Sequence, residues 1–310
     1  MTISDGPEIS VVIPCRNEAA NVVAMAAAVT AALDAVSATF ELIFIDNAST
    51  DTTAALVRNL CAADPRIKLI INARNFGQMR SPTYGIFQAR GRAVIGMCCD
   101  FQDPPDLLGR FVERWRSGTD IVLGVRESER SGWRLKTARN LAYGFALRFG
   151  DYPVVRDATG FGLYDAKVVR AIAALNEPEP FFRGMLAETG FSIATIHYAR
   201  PARAGGKSNN GFFALLDFAL SSLASTSKKL IRVPFYLGVM GIAASLMMLP
   251  VLALAALGGG AWLGWLAASA VELQLGLLFL FLGIIGDQVR LVSERTRGTP
   301  LVIERERVNF

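Results

Sequence analysis

The chain has 310 residues, of which 52% are hydrophobic, a formal net charge of +5, one histidine and four cysteines. A single histidine argues against Ser-His or His-metal chemistry, and Cys15, Cys61, Cys98 and Cys99 lack metal-knuckle spacing, so they read as reduced thiols. The positive charge flanks apolar segments, with no aromatic-basic RNA motif, so it reads as a membrane-facing collar and no nucleic-acid partner is expected.

The N-terminal stretch MTISDGPEIS has neither the basic head nor the apolar run of a signal peptide, which places the first 200 residues in the cytosol. Short runs rich in Val and Ile then recur: ISVVIP from Ile9, ELIFID from Glu41, RIKLII from Arg66, AVIGMC from Ala93 and DIVLGV from Asp120. Between them lie helical stretches such as EAANVVAMAAAVTAAL and TDTTAALVRNLCAA. Continuous apolar strands alternating with helices predict a doubly wound α/β domain, its parallel sheet covered on both faces. Beyond Gly150 the pattern loosens into DATGFGLYD, a helix from Ala166, PEPFFRGMLAETG, a strand in SIATIHY and the Gly-rich basic loop RPARAGGKSNNG.

FFALLDFALSSLASTSKKLIRV reads as an amphipathic helix at a membrane surface. Val233 to Leu257 carries no charge and Leu266 to Gly286 carries only Glu272, lengths that match the ~20 residues of a membrane span. Lys228, Lys229 and Arg232 on one side, and Arg290, Arg295, Arg297, Arg305 and Arg307 on the other, put both flanks in the cytoplasm. Glu272 has two readings, a reach to the outer interface or a subunit contact. The expected organisation is a catalytic domain over 1–210, an amphipathic segment over 211–232, two transmembrane helices within 233–286 and a basic cytosolic tail over 287–310.

In a parallel sheet, ligands sit beyond the carboxyl ends of the strands. PCRNE, DNAST, NARNFGQ and CCDFQDPPD follow the first four apolar runs and converge as one candidate site. Asp100 and Gln102 alternate along the chain, share one side, and offer hard oxygens suited to Mg²⁺ or Mn²⁺ with a substrate phosphate. Asp103, before Pro104 and Pro105, reads as a cap on the next helix or as a further ligand. Asp46 reads as a nucleoside ligand or as a turn acid beside a helix-capping Ser49, and Glu18 as a ligand or a first-turn helix acid.

SVVIPCRNEAANV, FIDNASTDTT, NARNFGQ and DFQDPPDLL, in this order and spacing, resemble the family 2 glycosyltransferases of the GT-A fold. The QDPP element and the two spans are similar to the polyprenyl-phosphate glycosyltransferases within that family. The resemblance implies a donor site holding a nucleotide-diphosphate sugar at Pro14, Arg16, Glu18, Asp46, Cys99 and Asp100, and metal ligands at Asp100 and Gln102. It places the lipid phosphate at Arg126, Arg139, Arg203 and Lys207, with Asp100, Arg126 and Arg139 carrying the chemistry. It also implies a polyprenyl phosphate acceptor, a bilayer partner, a bacterial cytoplasmic membrane location, room for a homo-oligomer, and a single inverting displacement. One departure stands out: Cys98 occupies the position where the family writes its first Asp, so weaker or altered metal binding is expected, and decay to a binding protein is an alternative. Direct glycosylation of another membrane acceptor is the remaining enzymatic alternative.

Overall fold

The computed structural model describes residues 6–127, 155, 158–199, 201, 240, 243, 247, 250 and 262–310. The amphipathic segment, nearly all of the first apolar run, and Arg139, Arg203 and Lys207 lie outside the described residues.

The expected strands form as β1 (Ile9–Cys15), β2 (Phe40–Asp46), β3 (Ile67–Asn72), β4 (Ala93–Gly96) and β5 (Ile121–Arg126). The strand expected in SIATIHY forms as β7 (Ile193–Tyr198), and two more join them, β6 (Ala158–Asp165) and β8 (Glu304–Val308). The helices are α1 (Val22–Asp34), α2 (Thr53–Ala63), α3 (Gly77–Gln88), α4 (Leu108–Arg116), α5 (Ala166–Ala174), α6 (Phe182–Glu188) and α7 (Trp262–Arg297). The strands make one sheet in the order β7-β5-β6-β4-β1-β2-β3-β8. β1 to β5 and β7 run the same way, and β6 and β8 run against them, so the sheet is mixed rather than wholly parallel.

Strand side chains alternate between faces. Val11, Ile13, Leu42, Phe44 and Leu69 point to the face covered by Val22, Met25, Val29 and Leu33 of α1, Val57 of α2 and Phe111 of α4. Val12, Ile43, Ile45, Ile70 and Val94 point to the other face, against Ile86 of α3 and Val168 and Ile172 of α5. Burial on both faces explains why these strands read as unbroken apolar runs. Each such side chain contributes roughly 1.5–3 kcal/mol relative to exposure. Gly85 lets α3 lie close to the sheet, since a Cβ there would meet Val12 Cγ1 at 2.8 Å.

At the amino ends of the strands a buried polar cluster pins the register. Glu41 Oε1 accepts from Ser10 Oγ at 2.5 Å and from the Arg90 N–H at 2.7 Å, and Lys68 Nζ pairs with Glu41 Oε2 at 2.6 Å.

The segment read as a basic tail is structured. α7 runs to Arg297, and β8 then adds to the free edge of β3, with Leu69 opposite Val308 and Ile71 opposite Glu306. The Ala73 N–H donates to Ile303 O at 2.9 Å, and Asn309 Nδ2 donates to the carbonyls of Cys61 and Ile67, both at 2.8 Å. Among the described residues no helix is long and apolar enough to cross a membrane.

Candidate active site

Six strands run the same way, so the loops after β1, β2, β3 and β4 meet the ends of β5 and β7 and the start of β6 at one edge of the sheet. Three of these loops carry a non-glycine residue in the left-handed region: Asn17 at φ 57°, Ala48 at φ 58° and Phe101 at φ 60°. Such conformations cost about 1–3 kcal/mol each and persist only where surrounding contacts fix them.

In the first two loops those contacts are reciprocal. Asn17 N–H donates to Ser49 Oγ at 2.9 Å, while Asn17 Oδ1 accepts from the Thr50 N–H at 2.8 Å. Glu18 N–H donates to Thr53 Oγ1 at 2.9 Å, and Ala19 N–H reaches Asp51 Oδ2 at 3.3 Å. Asp46 is buried and accepts from both the Ser49 N–H, at 3.1 Å, and the Ser49 hydroxyl. Burial pushes the Asp46 carboxyl above its ordinary range, against the two Ser49 bonds that favour its charged form.

These contacts correct two expectations. Ser49 does not cap α2; it turns back to Asp46, and Asp51 accepts from the Thr53 N–H at 3.0 Å instead. Glu18 is not in the first turn of a helix, because α1 starts at Val22; Glu18 Oε2 accepts from Asn21 Nδ2 at 2.6 Å.

The third loop joins the second through carboxamides. Asn47 Oδ1 accepts from Asn72 Nδ2 at 3.0 Å and from the Phe76 N–H at 2.8 Å, and Asn47 Nδ2 donates to Asn75 Oδ1 at 2.7 Å. Asn72 Nδ2 also donates to Ser81 Oγ at 2.9 Å, so the end of β3 is fixed to α3. The sequence marked NARNFGQ as a tip without showing that its amides serve to hold it.

The fourth loop holds the acidic motif. Asp100 Oδ1 accepts from the Gln102 N–H at 3.2 Å, which folds the chain back between the two residues. Asp103 is not a helix cap: the residue is only 2% exposed and its carboxyl turns inward, where Oδ2 accepts from the Cys98 N–H at 2.9 Å and Oδ1 from the Tyr198 hydroxyl at 3.2 Å. Cys98 is exposed over part of its surface, while its thiol is enclosed against the Asp103 carboxyl. Burial, with the charges of Asp103 and Asp100 adding to it, pushes that thiol well above the ordinary range, so it is neutral. Burial likewise pushes the Asp103 carboxyl up, against the Cys98 N–H and Arg126, which favour its charge.

The remaining expected residues sit around this edge. Pro14 lies in β1 opposite Ile45, Arg16 is exposed just beyond, and Cys99 is buried beneath the fourth loop. Arg126 ends β5 opposite Tyr198, half-buried, with Nε lacking a partner among the described residues. Thr159 of β6 has a buried hydroxyl in the same state. The structure thus adds Asn17, Asn47, Asp51, Asn72, Thr159 and Tyr198 to the site; a polar residue directly after an apolar strand was the available signal for Asn47 and Asn72.

Asp100 and Gln102 offer hard oxygens at the rim, and among the described residues no group of three or more His, Cys, Asp or Glu is placed to hold a metal ion. That donor set fits a hard divalent cation that draws most of its shell from substrate phosphates and water.

Comparison with known proteins adds three findings. Residues 10–172 match the model for glycosyl transferase family 2. An uncharacterised glycosyltransferase of Bacillus subtilis is 28% identical over 96% of this chain and 93% of its own length, and a bactoprenol glucosyl transferase of Shigella phage SfX is 30% identical over 64% of this chain and 65% of its own. Among solved structures, glucosyl-3-phosphoglycerate synthase of Mycobacterium tuberculosis in complex with Mn²⁺, UDP-glucose and phosphoglyceric acid superimposes with a TM-score of 0.51 at 20% identity, covering 71% of this chain and 78% of that one.

Proposed function

Since the chain belongs to glycosyl transferase family 2 and is a glycosyltransferase, we propose that it takes the sugar from a nucleotide sugar and passes it to a polyprenyl phosphate at a membrane surface. The observation that carries this reading is the position of Arg126: it stands at the end of β5, beside the Asp100–Asp103 loop, with Nε lacking a partner among the described residues. An anionic acceptor held there would face a donor diphosphate held at the loop. The bactoprenol glucosyl transferase named above supports the acceptor class.

The first two loops hold the nucleoside, with Asp46 bracing the turn and Arg16 reaching outward. Asp100 and Gln102 would hold a divalent cation, in line with the Mn²⁺ and UDP-glucose bound by the mycobacterial neighbour. When bound, the cation would neutralise charge on the departing diphosphate. An oxygen of the lipid phosphate forms a bond to the anomeric carbon while the bond from that carbon to the nucleoside diphosphate breaks, inverting the centre. The attacking phosphate is already ionised, so no general base is needed, and the Arg126 fork is suited to hold it in line.

Anchoring belongs to the same proposal. α7 displays Leu273, Leu275, Leu278, Leu282 and Ile285 as exposed apolar side chains, and its 36 residues are about 54 Å long at 1.5 Å per residue. The basis for two spans in a bacterial cytoplasmic membrane, with the catalytic domain on the cytoplasmic side, is the sequence itself: the uncharged run Val233 to Leu257, the stretch Leu266 to Gly286 and their basic flanks.

The test is transfer of radiolabelled sugar from a panel of nucleotide sugars to undecaprenyl phosphate in purified membranes, with Mn²⁺, Mg²⁺ or chelator. Chelator-sensitive labelling of the lipid is expected with one donor. Labelling of a different lipid would move the assignment to another membrane acceptor, and no labelling by folded protein would favour a decayed site.

A further inference from the structure

Asp103 is the most deeply buried carboxylate of the fourth loop, and its two oxygens reach in different directions. One closes the loop on itself at Cys98 N, and the other leaves it for Tyr198, 95 residues away, at the end of the edge strand β7. The Tyr198 ring lies edge-on to Phe161 with centroids 5.6 Å apart, and Arg126 and Thr159 stand against its phenol. Between the two anchor points, Phe101 is held at φ 60°. A conformation of that kind needs to be over-determined by its surroundings, and Asp103 supplies two of the fixing bonds.

We infer that Asp103 is a positioning residue: it clasps the base of the Cys98–Gln102 loop and, through Tyr198, fastens that loop to the strand ends that carry Arg126. The donor and acceptor halves of the site are then held at one separation by a single buried carboxylate. Its burial keeps it from the cation that Asp100 and Gln102 would hold. The inference rests on the reading that the loop receives the diphosphate and Arg126 the acceptor phosphate.

Chemistry sets the expected pattern in variants. A carboxylate accepts at both ends, whereas the Asn of Asp103→Asn must either set its NH₂ against the Cys98 N–H, donor against donor, or turn it to the Tyr198 oxygen, reversing that bond at an oxygen that Arg126 and Thr159 already approach. Tyr198→Phe removes one donor and leaves the ring packed. In Asp103→Asn/Tyr198→Phe the amide can therefore turn its NH₂ toward the vacated side and keep its oxygen on Cys98 N, so the two losses do not add.

The experiment uses full-length protein in detergent, with UDP and GDP as probes, each titrated with and without Mn²⁺, alongside thermal melts. Tyr198→Phe is expected to weaken Mn²⁺-dependent nucleotide binding by roughly five- to tenfold, as loss of one buried hydrogen bond implies, while metal-free binding stays within about twofold of wild type. The double variant is expected to bind no worse than Asp103→Asn alone. Lower melting temperatures with unchanged Mn²⁺-dependent affinity would assign Asp103 a merely structural role and overturn the inference, as would additive losses in the double variant. Binding of neither nucleotide by the wild type would also overturn it. Transfer to undecaprenyl phosphate is read in parallel: its absence in a wild type that binds nucleotide with Mn²⁺ removes the acceptor assignment while the Asp103 clasp is still judged on binding.

Discussion

Arg58 of α2 and Glu306 of β8 meet across 248 residues as a forked pair, Nε to Oε1 at 2.9 Å and Nη2 to Oε2 at 2.6 Å. Beside it, Glu304 accepts from the Tyr84 hydroxyl at 2.8 Å and from Arg307 Nε at 2.9 Å. The edge strand β8 is thus held to the sheet by carboxylates as well as by its ladder.

Acid should release β8 first. The Arg58 hydrogen bond holds Glu306 below the usual carboxylate range; burial pushes Glu304 up, but Arg307 and Tyr84 outweigh it and leave that carboxyl lowered too. Groups depressed on folding stabilise above their unfolded pKa, about 4.3 for Glu, and that stability is lost as pH falls through the folded values. Hydrogen exchange, corrected for intrinsic rate, should show protection at residues 304–308 falling below about pH 4 while β1 and β2 stay protected. Simultaneous loss across the whole sheet would contradict this.

Glu41→Ala should cost about 3 kcal/mol, because it leaves the largely enclosed Lys68 ammonium without its carboxylate and strips Ser10 and the Arg90 N–H of an acceptor. Urea unfolding of the detergent-solubilised protein measures it. Nucleotide affinity of the folded fraction should be unchanged, since this cluster lies at the opposite edge from the site.

Asp100→Asn should reduce transfer by roughly a hundredfold or more and shift the Mn²⁺ requirement upward, as a neutral oxygen replaces a charged one in a short ligand set. Chelator should abolish the wild-type rate, and added Mn²⁺ should restore it. A rate indifferent to chelator would show that Asp100 serves the substrate without a cation.

Arg126→Lys should lower kcat/KM for the lipid phosphate roughly tenfold, about 1.4 kcal/mol of transition-state binding, because an ammonium cannot reproduce the guanidinium fork. The KM for the nucleotide sugar should change little. An equal rise in both KM values would place Arg126 on the donor side.

Cys98→Asp should destabilise the metal-free protein, since it sets a third carboxylate against Asp103 and Asp100, which the thiol now meets as a neutral donor. Melting temperature should drop without Mn²⁺ and recover with it, whereas Cys98→Ser, which keeps a donor, should melt near wild type in both conditions. A Cys98→Asp melt that ignores Mn²⁺ would show that the thiol position is remote from the cation.

The central strands were legible because each is buried on both faces and therefore reads as one apolar run, ISVVIP becoming β1 and ELIFID becoming β2. β6 was not, because Thr159, Gly160 and Gly162 interrupt its apolar character. Gly162 is required there: a Cβ would stand 2.5 Å from the Val122 carbonyl oxygen. β8 was read as a tail because ERERV is mostly charged, which an edge strand with solvent beside it tolerates. Asp100 and Gln102 could be offered as metal ligands from their alternation, but the direction of Asp103 could not be read. A helix cap is a local preference, and the Tyr198 hydroxyl that overrides it comes from a strand whose neighbours only the folded sheet defines.

The last strand of the sheet is also made late. β3 leaves the ribosome with an open edge, and its partner β8 follows only after α7, the paired residues running from Leu69 with Val308 to Asn72 with Glu304, about 230 to 240 positions apart. At roughly 5–20 residues per second, that edge waits about ten to fifty seconds, exposed to any strand that can pair with it. Completion of the sheet is thereby made contingent on synthesis of the helix that precedes β8, and a chain halted before Glu304 carries seven of the eight strands with the β3 edge open to proteolysis and to mispairing.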